Sequence, residues 1–96
     1  MKLREVIDNL EQFDDDLVVF VSTESVWNPD SEAVLIPSPN LAERTGQLPR
    51  FSYFLEVEIA KDVLDVWRKW RNNREPTGEE RLEAVLFYAE NDTYLG

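Results

Sequence analysis

Apolar residues along the chain change their spacing several times, and each spacing predicts a different element. Between Leu3 and Leu10 they recur at i, i+3, i+4 and i+7, which predicts a short helix over residues 2–11. Residues 17–21 form an uninterrupted apolar run rich in β-branched side chains, a pattern typical of a strand buried on both faces. We therefore expect this run to be the central strand of a sheet.

Two further strands are predicted on either side of a long connection. Residues 33–36 form a short apolar run that two prolines end. Residues 37–51 contain three prolines and a glycine, which predicts a loop that is mobile or faces a partner. Residues 53–59 alternate, so that Glu56 and Glu58 share the partly solvated face of a third strand.

Helical spacing returns in the last third of the chain. It predicts a second helix over residues 60–71, which Asn72-Asn73 and Pro76 end. Thr77 and Glu80 have the spacing of a capping box, which predicts the start of a third helix ending near Asn91.

The predicted order α-β-β-β-α-α indicates an α+β fold in a single domain over residues 1–96. Short β–β connections favour a three-stranded antiparallel sheet, wound as a meander and packed with three helices. Because the first two strands are apolar on both sides, either the helices divide between the two faces or a second chain covers one of them.

The chain has no cysteine and no histidine, which removes most side-chain chemistry. Disulfides, thiolate nucleophiles, Ser–His–Asp systems and the usual zinc or copper sites are excluded. The acidic N-terminus is unlike a signal peptide, and no apolar run has the length of a membrane span. We expect a cytoplasmic protein that is not an enzyme, with no cofactor and no membrane association.

The net charge is −10, and it is distributed unevenly. Residues 1–43 carry a net charge of −8, residues 44–74 carry +3 and residues 75–96 carry −5. Such a balance disfavours binding to nucleic acid and anionic membranes, and it favours a basic protein partner.

Two groups of carboxylates are candidate sites. Asp14, Asp15 and Asp16 are adjacent and suggest a Mg²⁺ or Ca²⁺ site. They lack the spaced Asp/Asn ladder, the turn glycine and the distal glutamate of an EF-hand loop, so a solvated turn is the simpler interpretation. Glu56 and Glu58 suggest either an acid–base pair roughly 7 Å apart on a strand, or solvent-facing strand charges, or a contact surface for a basic partner.

Aromatic residues provide the other candidates. The segment Trp67–Arg74 interleaves two tryptophans with four cations, which fits core tryptophans with capping cations, a protein interface or a nucleic-acid contact. Trp27 lies in a turn-rich connection, where it is either a lid on the core or an exposed anchor; Tyr88 and Tyr94 have the same ambiguity.

Three stretches carry a family resemblance: residues 53–64, residues 27–33 and residues 88–92. They resemble a group of small acidic bacterial proteins of unknown function. The resemblance implies a bacterial or phage-related cytosolic protein and assigns no functional residue.

We interpret the chain as a non-catalytic acidic domain that binds a basic protein partner, in the manner of an inhibitor or immunity protein. The expected partner-binding residues are Trp27, Glu56, Glu58, Asp14, Asp15 and Asp16. The alternatives are a homodimeric accessory module that pairs through an apolar sheet face, and a divalent-metal carboxylate enzyme.

Overall fold

The computed structural model of the protein describes all 96 residues, which form four α-helices and a three-stranded antiparallel sheet. The elements are α1 (Leu3–Asp8), β1 (Leu17–Ser22), β2 (Ala33–Pro37), α2 (Leu41–Thr45), β3 (Phe51–Glu56), α3 (Val57–Lys69) and α4 (Gly78–Asn91). Single turns of 3-10 helix cover Leu10–Gln12 and Ser38–Asn40. The predicted α+β class and the three-stranded antiparallel sheet are confirmed.

The sheet has the strand order β2-β1-β3, so β1 is the central strand, as predicted. The predicted meander is wrong, because β3 pairs with β1 and not with β2. In the centre of the sheet Val18 lies between Ile36 of β2 and Glu56 of β3. The chain reaches the free edge of β1 by crossing one face of the sheet between β2 and β3.

The first face of the sheet supports the main core. Val19 and Val21 of β1 pack there with Leu55 of β3 and with the buried stripes of α1, α3 and α4. Those stripes follow the helical spacing of the apolar residues, which places Leu64 of α3 and Val85 of α4 in the same cluster. Three of the four helices therefore cover one face of the sheet.

The second face is covered by the connection that was predicted to be a loop. Val18, Phe20 and Ile36 form a small buried cluster on this face. Leu41 of α2 and Leu48 pack against this cluster. The predicted loop over residues 37–51 therefore contains a helix, because its leucines supply the apolar cover that β1 needs.

The alternation over residues 53–59 is broken inside β3. Val19 pairs with Leu55 while the next residue, Phe20, pairs with Tyr53, so Phe54 is the extra residue of a β-bulge. Phe54 and Leu55 are both buried in the main core. The strand ends at Glu56 and α3 begins at Val57, so the predicted strand to residue 59 and the predicted helix start at residue 60 are wrong.

The ends of α3 and α4 follow the polar signals in the sequence. After α3 the backbone turns through Asn72 and Asn73, whose φ angles of 54° and 61° lie in the left-handed region that asparagine tolerates. At α4 the predicted capping box is present, since the Thr77 hydroxyl accepts from the Glu80 amide and the Glu80 carboxylate accepts from the Thr77 amide.

A buried arginine ties the N-terminal helical segment to α4. The Arg81 side chain, 12% exposed, donates from one nitrogen to the Ile7 carbonyl at 2.7 Å and to both Glu11 carboxylate oxygens at 2.7 and 3.0 Å. The hydrogen bond from Arg81 lowers the pKa of Glu11. Arg68 of α3 approaches the same carboxylate at 4.0 Å, so three helical elements meet at one ion cluster.

No helix combines the length and the apolar character that crossing a bilayer requires.

Candidate functional site

The outer face of α3 forms one wall of an open groove of about 470 Å³. Glu58, Asp62 and Asp65 stand at i, i+4 and i+7 on this helix, so their carboxylates share one face. Lys61 of the same helix, Asp15 from the turn before β1 and Tyr88 of α4 complete the polar lining. The groove therefore gathers four carboxylates from two distant parts of the chain.

Two of the four carboxylates in the groove are paired with cations of the same chain. Lys61 donates to Asp15 at 2.7 Å and to the carbonyl of Phe13 at 2.7 Å. Arg68 donates to Asp65 at 3.1 Å. Glu58 and Asp62 have no cation within 4.0 Å. The groove therefore keeps a negative charge that the protein itself does not neutralise.

An aromatic cluster borders the groove on the side of the chain's last residues. Tyr94 donates its hydroxyl to Asp62 at 2.7 Å. Its ring centroid lies 5.1 Å from that of Tyr88 and 5.9 Å from that of Trp70. Trp70 is 58% exposed. The hydrogen bond to Asp62 raises the pKa of Tyr94 to about 12, because the carboxylate favours the protonated phenol.

The predicted acidic turn contributes one residue to this groove. Asp15 lines it, whereas Asp14 and Asp16 are exposed beside it and use their backbone carbonyls to shape the turn. The Asp14 carbonyl accepts from the Leu17 amide at 3.2 Å, and the Asp16 carbonyl accepts from Ser38. The solvated turn is thus the structural role of Asp14 and Asp16.

The structure separates Glu56 from Glu58. Glu56 ends β3 and faces the second side of the sheet, where Tyr53 donates its hydroxyl to the carboxylate at 2.5 Å. Burial, followed by this hydrogen bond, raises the pKa of Tyr53 to about 12. Glu58 lies in the first turn of α3. The predicted pair on one strand face is therefore wrong, because the helix begins between the two residues.

Trp27 is half-buried and packs against the main core. Its ring lies edge-on against Phe54, with centroids 4.9 Å apart. Of the two predicted alternatives, the structure shows the lid on the core.

The segment Trp67–Arg74 divides its aromatic residues between core and surface. Trp67 is 3% exposed and lies in the main core, whereas the expectation that Trp70 continues the buried stripe is wrong. Arg71 and Arg74 stack over the Trp67 ring, 4.3 and 4.7 Å from its centroid. Arg74 also donates two hydrogen bonds to Glu80, at 3.1 and 2.8 Å.

The basic middle of the sequence does not produce a free basic patch. Four of its seven cations are in ion pairs with carboxylates of the same chain: Arg50, Lys61, Arg68 and Arg74. Arg68 approaches Glu75 at 2.9 Å, although its N–H does not point at the oxygen, so this is an ion contact and not a hydrogen bond. Arg71 lies on Trp67 and donates to its carbonyl.

A second open groove, of about 430 Å³, lies between α1 and the start of α4. It mixes Arg4 with Asp8 and Glu79, and Arg4 is already paired with Asp30 at 3.1 Å. No group of three or more carboxylates in the structure is arranged to hold a metal ion. The α3 groove, by contrast, gathers carboxylates that have no internal cation next to the cluster of Tyr88, Tyr94 and Trp70.

Five residues at this site lie outside the expected partner-binding set: Asp62, Asp65, Trp70, Tyr88 and Tyr94. The i, i+4, i+7 spacing of Glu58, Asp62 and Asp65 is visible in the sequence, and it becomes a shared face once α3 begins at Val57. The contact of Tyr94 with Asp62 of α3 has no comparable local signal in the sequence, because it depends on the path of the chain after α4.

A family model described as Domain of unknown function (DUF7716) matches residues 1–96. No curated protein and no solved structure matches the chain significantly.

Proposed function

The chain belongs to the family described as Domain of unknown function (DUF7716), and we propose that it acts by binding a basic protein partner through the α3 groove. The proposed role is that of an inhibitor or immunity-type protein, which covers a functional surface of its partner. It involves no catalysis and no cofactor.

One observation carries the proposal: two carboxylates without an internal cation, Glu58 and Asp62, line a groove that is bordered by the aromatic cluster of Tyr88, Tyr94 and the exposed Trp70. Exposed aromatic side chains supply large contact area at protein interfaces, and tryptophan is enriched among the residues that dominate binding energy. Carboxylates without an internal cationic partner can receive Lys or Arg from another protein. Together they form a surface suited to a basic partner that also offers an apolar contact.

The whole-molecule charge supports the same proposal. At a net charge of −10 the protein attracts a basic partner over several ångströms. Electrostatic steering of this kind raises association rates towards roughly 10⁸ M⁻¹s⁻¹ at low salt. The proposed setting is the bacterial cytoplasm: the lack of cysteine fits a reducing compartment, and the resemblance supports a bacterial source.

No specific observation favours either of the two alternative functions. A homodimeric module was inferred from an apolar sheet face in need of cover, and α2 with its flanking residues already covers that face. A carboxylate enzyme needs converging carboxylates that hold a metal, whereas the groove carboxylates stand along a helix. Both remain predictions.

The test is affinity capture from a bacterial lysate, with the proposed site varied in the bait. The site variant is Glu58→Gln/Asp62→Asn. The control is Glu43→Gln/Glu83→Gln, which removes two exposed carboxylates, also free of ion pairs, from α2 and α4. Both variants change the net charge equally, so they separate this groove from the general acidity of the protein.

A basic protein that wild type and control retain at low salt, and that the site variant loses, supports the proposal. Its association rate with the purified chain should fall steeply with ionic strength. Equal retention by all three baits, or binding without ionic-strength dependence, would contradict the groove as the binding surface.

A further inference from the structure

The residues that follow α4 return to the groove. Asp92 ends the helix in a left-handed conformation, with φ 56° and ψ 32°, and its amide donates to the Tyr88 carbonyl at 2.7 Å. This cap turns the chain away from the helix axis. Two residues later, Tyr94 reaches the outer face of α3.

Tyr94 contacts both the acidic and the aromatic part of the proposed binding surface. Its hydroxyl donates to Asp62, one of the two carboxylates that have no cationic partner. Its ring lies between Tyr88 and Trp70, with centroid distances of 5.1 and 5.9 Å. Tyr94 thus contacts both the carboxylate and the aromatic rings that a partner would contact.

We propose that Tyr94 is an internal partner of Asp62 at the edge of the α3 groove, which a cationic side chain of the partner displaces from Asp62 on binding. The inference rests on the proposed function and adds a regulatory contact to it. Tyr94 occupies the Asp62 carboxylate in the free protein and so acts as a gate on this carboxylate, and the partner's cation displaces it.

A cation of the partner is the stronger of the two competitors for the Asp62 carboxylate. A phenol hydroxyl is a neutral donor, whereas a Lys or Arg side chain makes a charge-assisted hydrogen bond to the same carboxylate and also neutralises it. The partner's cation therefore replaces the phenol, but breaking the internal hydrogen bond reduces the net affinity. Linkage makes the effect reciprocal: whatever holds Tyr94 on Asp62 weakens partner binding by the same factor.

The experiment uses an octa-arginine peptide as the basic probe and titration calorimetry at low ionic strength as the measurement. The gate variant is Tyr94→Phe, which keeps the ring between Trp70 and Tyr88 and removes only the hydroxyl. The matched control is Tyr53→Phe, which removes a hydroxyl bonded to a carboxylate, Glu56, on the second side of the sheet.

We expect Tyr94→Phe to bind the peptide about two- to tenfold more tightly than wild type, the range set by one net hydrogen bond. Tyr53→Phe should bind like wild type. In the wild-type complex, the backbone amide of Tyr94 should move towards its random-coil chemical shift. Equal affinity of wild type and Tyr94→Phe would overturn the gate.

The carboxylate variant keeps this outcome distinct from failure of the proposed function. If Glu58→Gln/Asp62→Asn binds the peptide more weakly than Glu43→Gln/Glu83→Gln but Tyr94→Phe changes nothing, the groove binds cations and the gate is wrong. If the two double variants bind the peptide equally, the groove itself is wrong as the cation site.

Discussion

Trp27 packs edge-on against Phe54, with ring planes inclined at 68° and centroids 4.9 Å apart. Phe54 is the extra residue of the bulge in β3 and is buried in the main core. The bulge therefore turns an aromatic ring towards the connection between β1 and β2, where Trp27 closes over it. Trp27 lies in a turn-rich connection, and its ring nevertheless contributes to the packing of the main core.

Replacing Trp27 by Ala should lower the free energy of unfolding by about 2–4 kcal/mol, somewhat less than for a fully buried tryptophan. The control is Trp70→Ala, which removes an exposed ring and should cost less than about 1 kcal/mol. Urea unfolding of both variants measures the difference. An unchanged stability in Trp27→Ala, together with weaker partner binding, would contradict the lid and favour an exposed anchor.

Replacing Arg81 by Ala should destabilise the protein by about 2–3 kcal/mol, because the Ile7 carbonyl and the Glu11 carboxylate lose a buried charged donor. Arg44→Ala is the matched control: Arg44 lies exposed on α2 without an ion pair. Thermal unfolding should separate the two variants clearly. Similar melting temperatures would mean that the ion cluster contributes no net stability.

Removing the cap of α4 by Thr77→Ala should cost about 1 kcal/mol, the usual loss when a side chain no longer accepts from the first turn. The control is Thr93→Ala, which removes the same side-chain atoms from an exposed residue after α4 whose hydroxyl caps no helix. Urea midpoints for the two variants should differ accordingly. An equal effect would argue against the capping box.

Acid should weaken the protein partly through Glu80. Hydrogen bonds from Arg74, and then from the Thr77 amide, lower the pKa of Glu80 to about 2 from its usual 4.5. A lowered folded-state pKa stabilises the protein above pH 4.5, and this contribution is lost as the pH falls towards 2. The melting temperature of wild type should therefore fall more between pH 5 and 2 than that of Glu80→Gln. Glu79→Gln, which removes an unpaired neighbour, should follow wild type.

Alkali should weaken the protein partly through Tyr53. Burial and the Glu56 carboxylate raise its pKa to about 12 from the usual 10. Between these values the unfolded chain loses the phenolic proton and the folded chain keeps it, so stability present below pH 10 declines as the pH rises. The decline should be shallower in Tyr53→Phe, measured by urea unfolding from pH 9 to 11.5. Parallel curves would contradict the shifted ionisation.

The sequence predicts the elements whose period is unambiguous and misses those that tertiary contacts decide. The apolar run at residues 17–21 is the central strand, and the Thr77–Glu80 signal starts α4 at the expected place. Val57 and Ile59 fit both an alternating strand and the first turn of a helix, so the end of β3 is ambiguous from pattern alone. The bulge at Phe54 adds one residue without any local signal.

The sequence predicts part of the candidate site. Asp15 and Glu58 belong to the predicted acidic residues and do line the groove. Their meeting requires Lys61 to bridge from α3 to the turn before β1, a contact between residues 46 apart in sequence. Trp27 and Glu56 have residue types suited to a binding site, but Trp27 packs on the buried Phe54, and Glu56 accepts a hydrogen bond from Tyr53 at the surface.

The connection that covers the second face of the sheet also determines where aggregation would begin after proteolysis. α2 is one short helix, and it shares the cover of the buried cluster around Phe20 with Leu48 from the same connection. A protease cut between Arg44 and Leu48 would release that cover while the three-helix side stays folded. The nicked chain would then present a bare apolar face between two free strand edges, a template for stacking with its own copies. Aggregation should therefore begin at this connection, well away from the acidic groove.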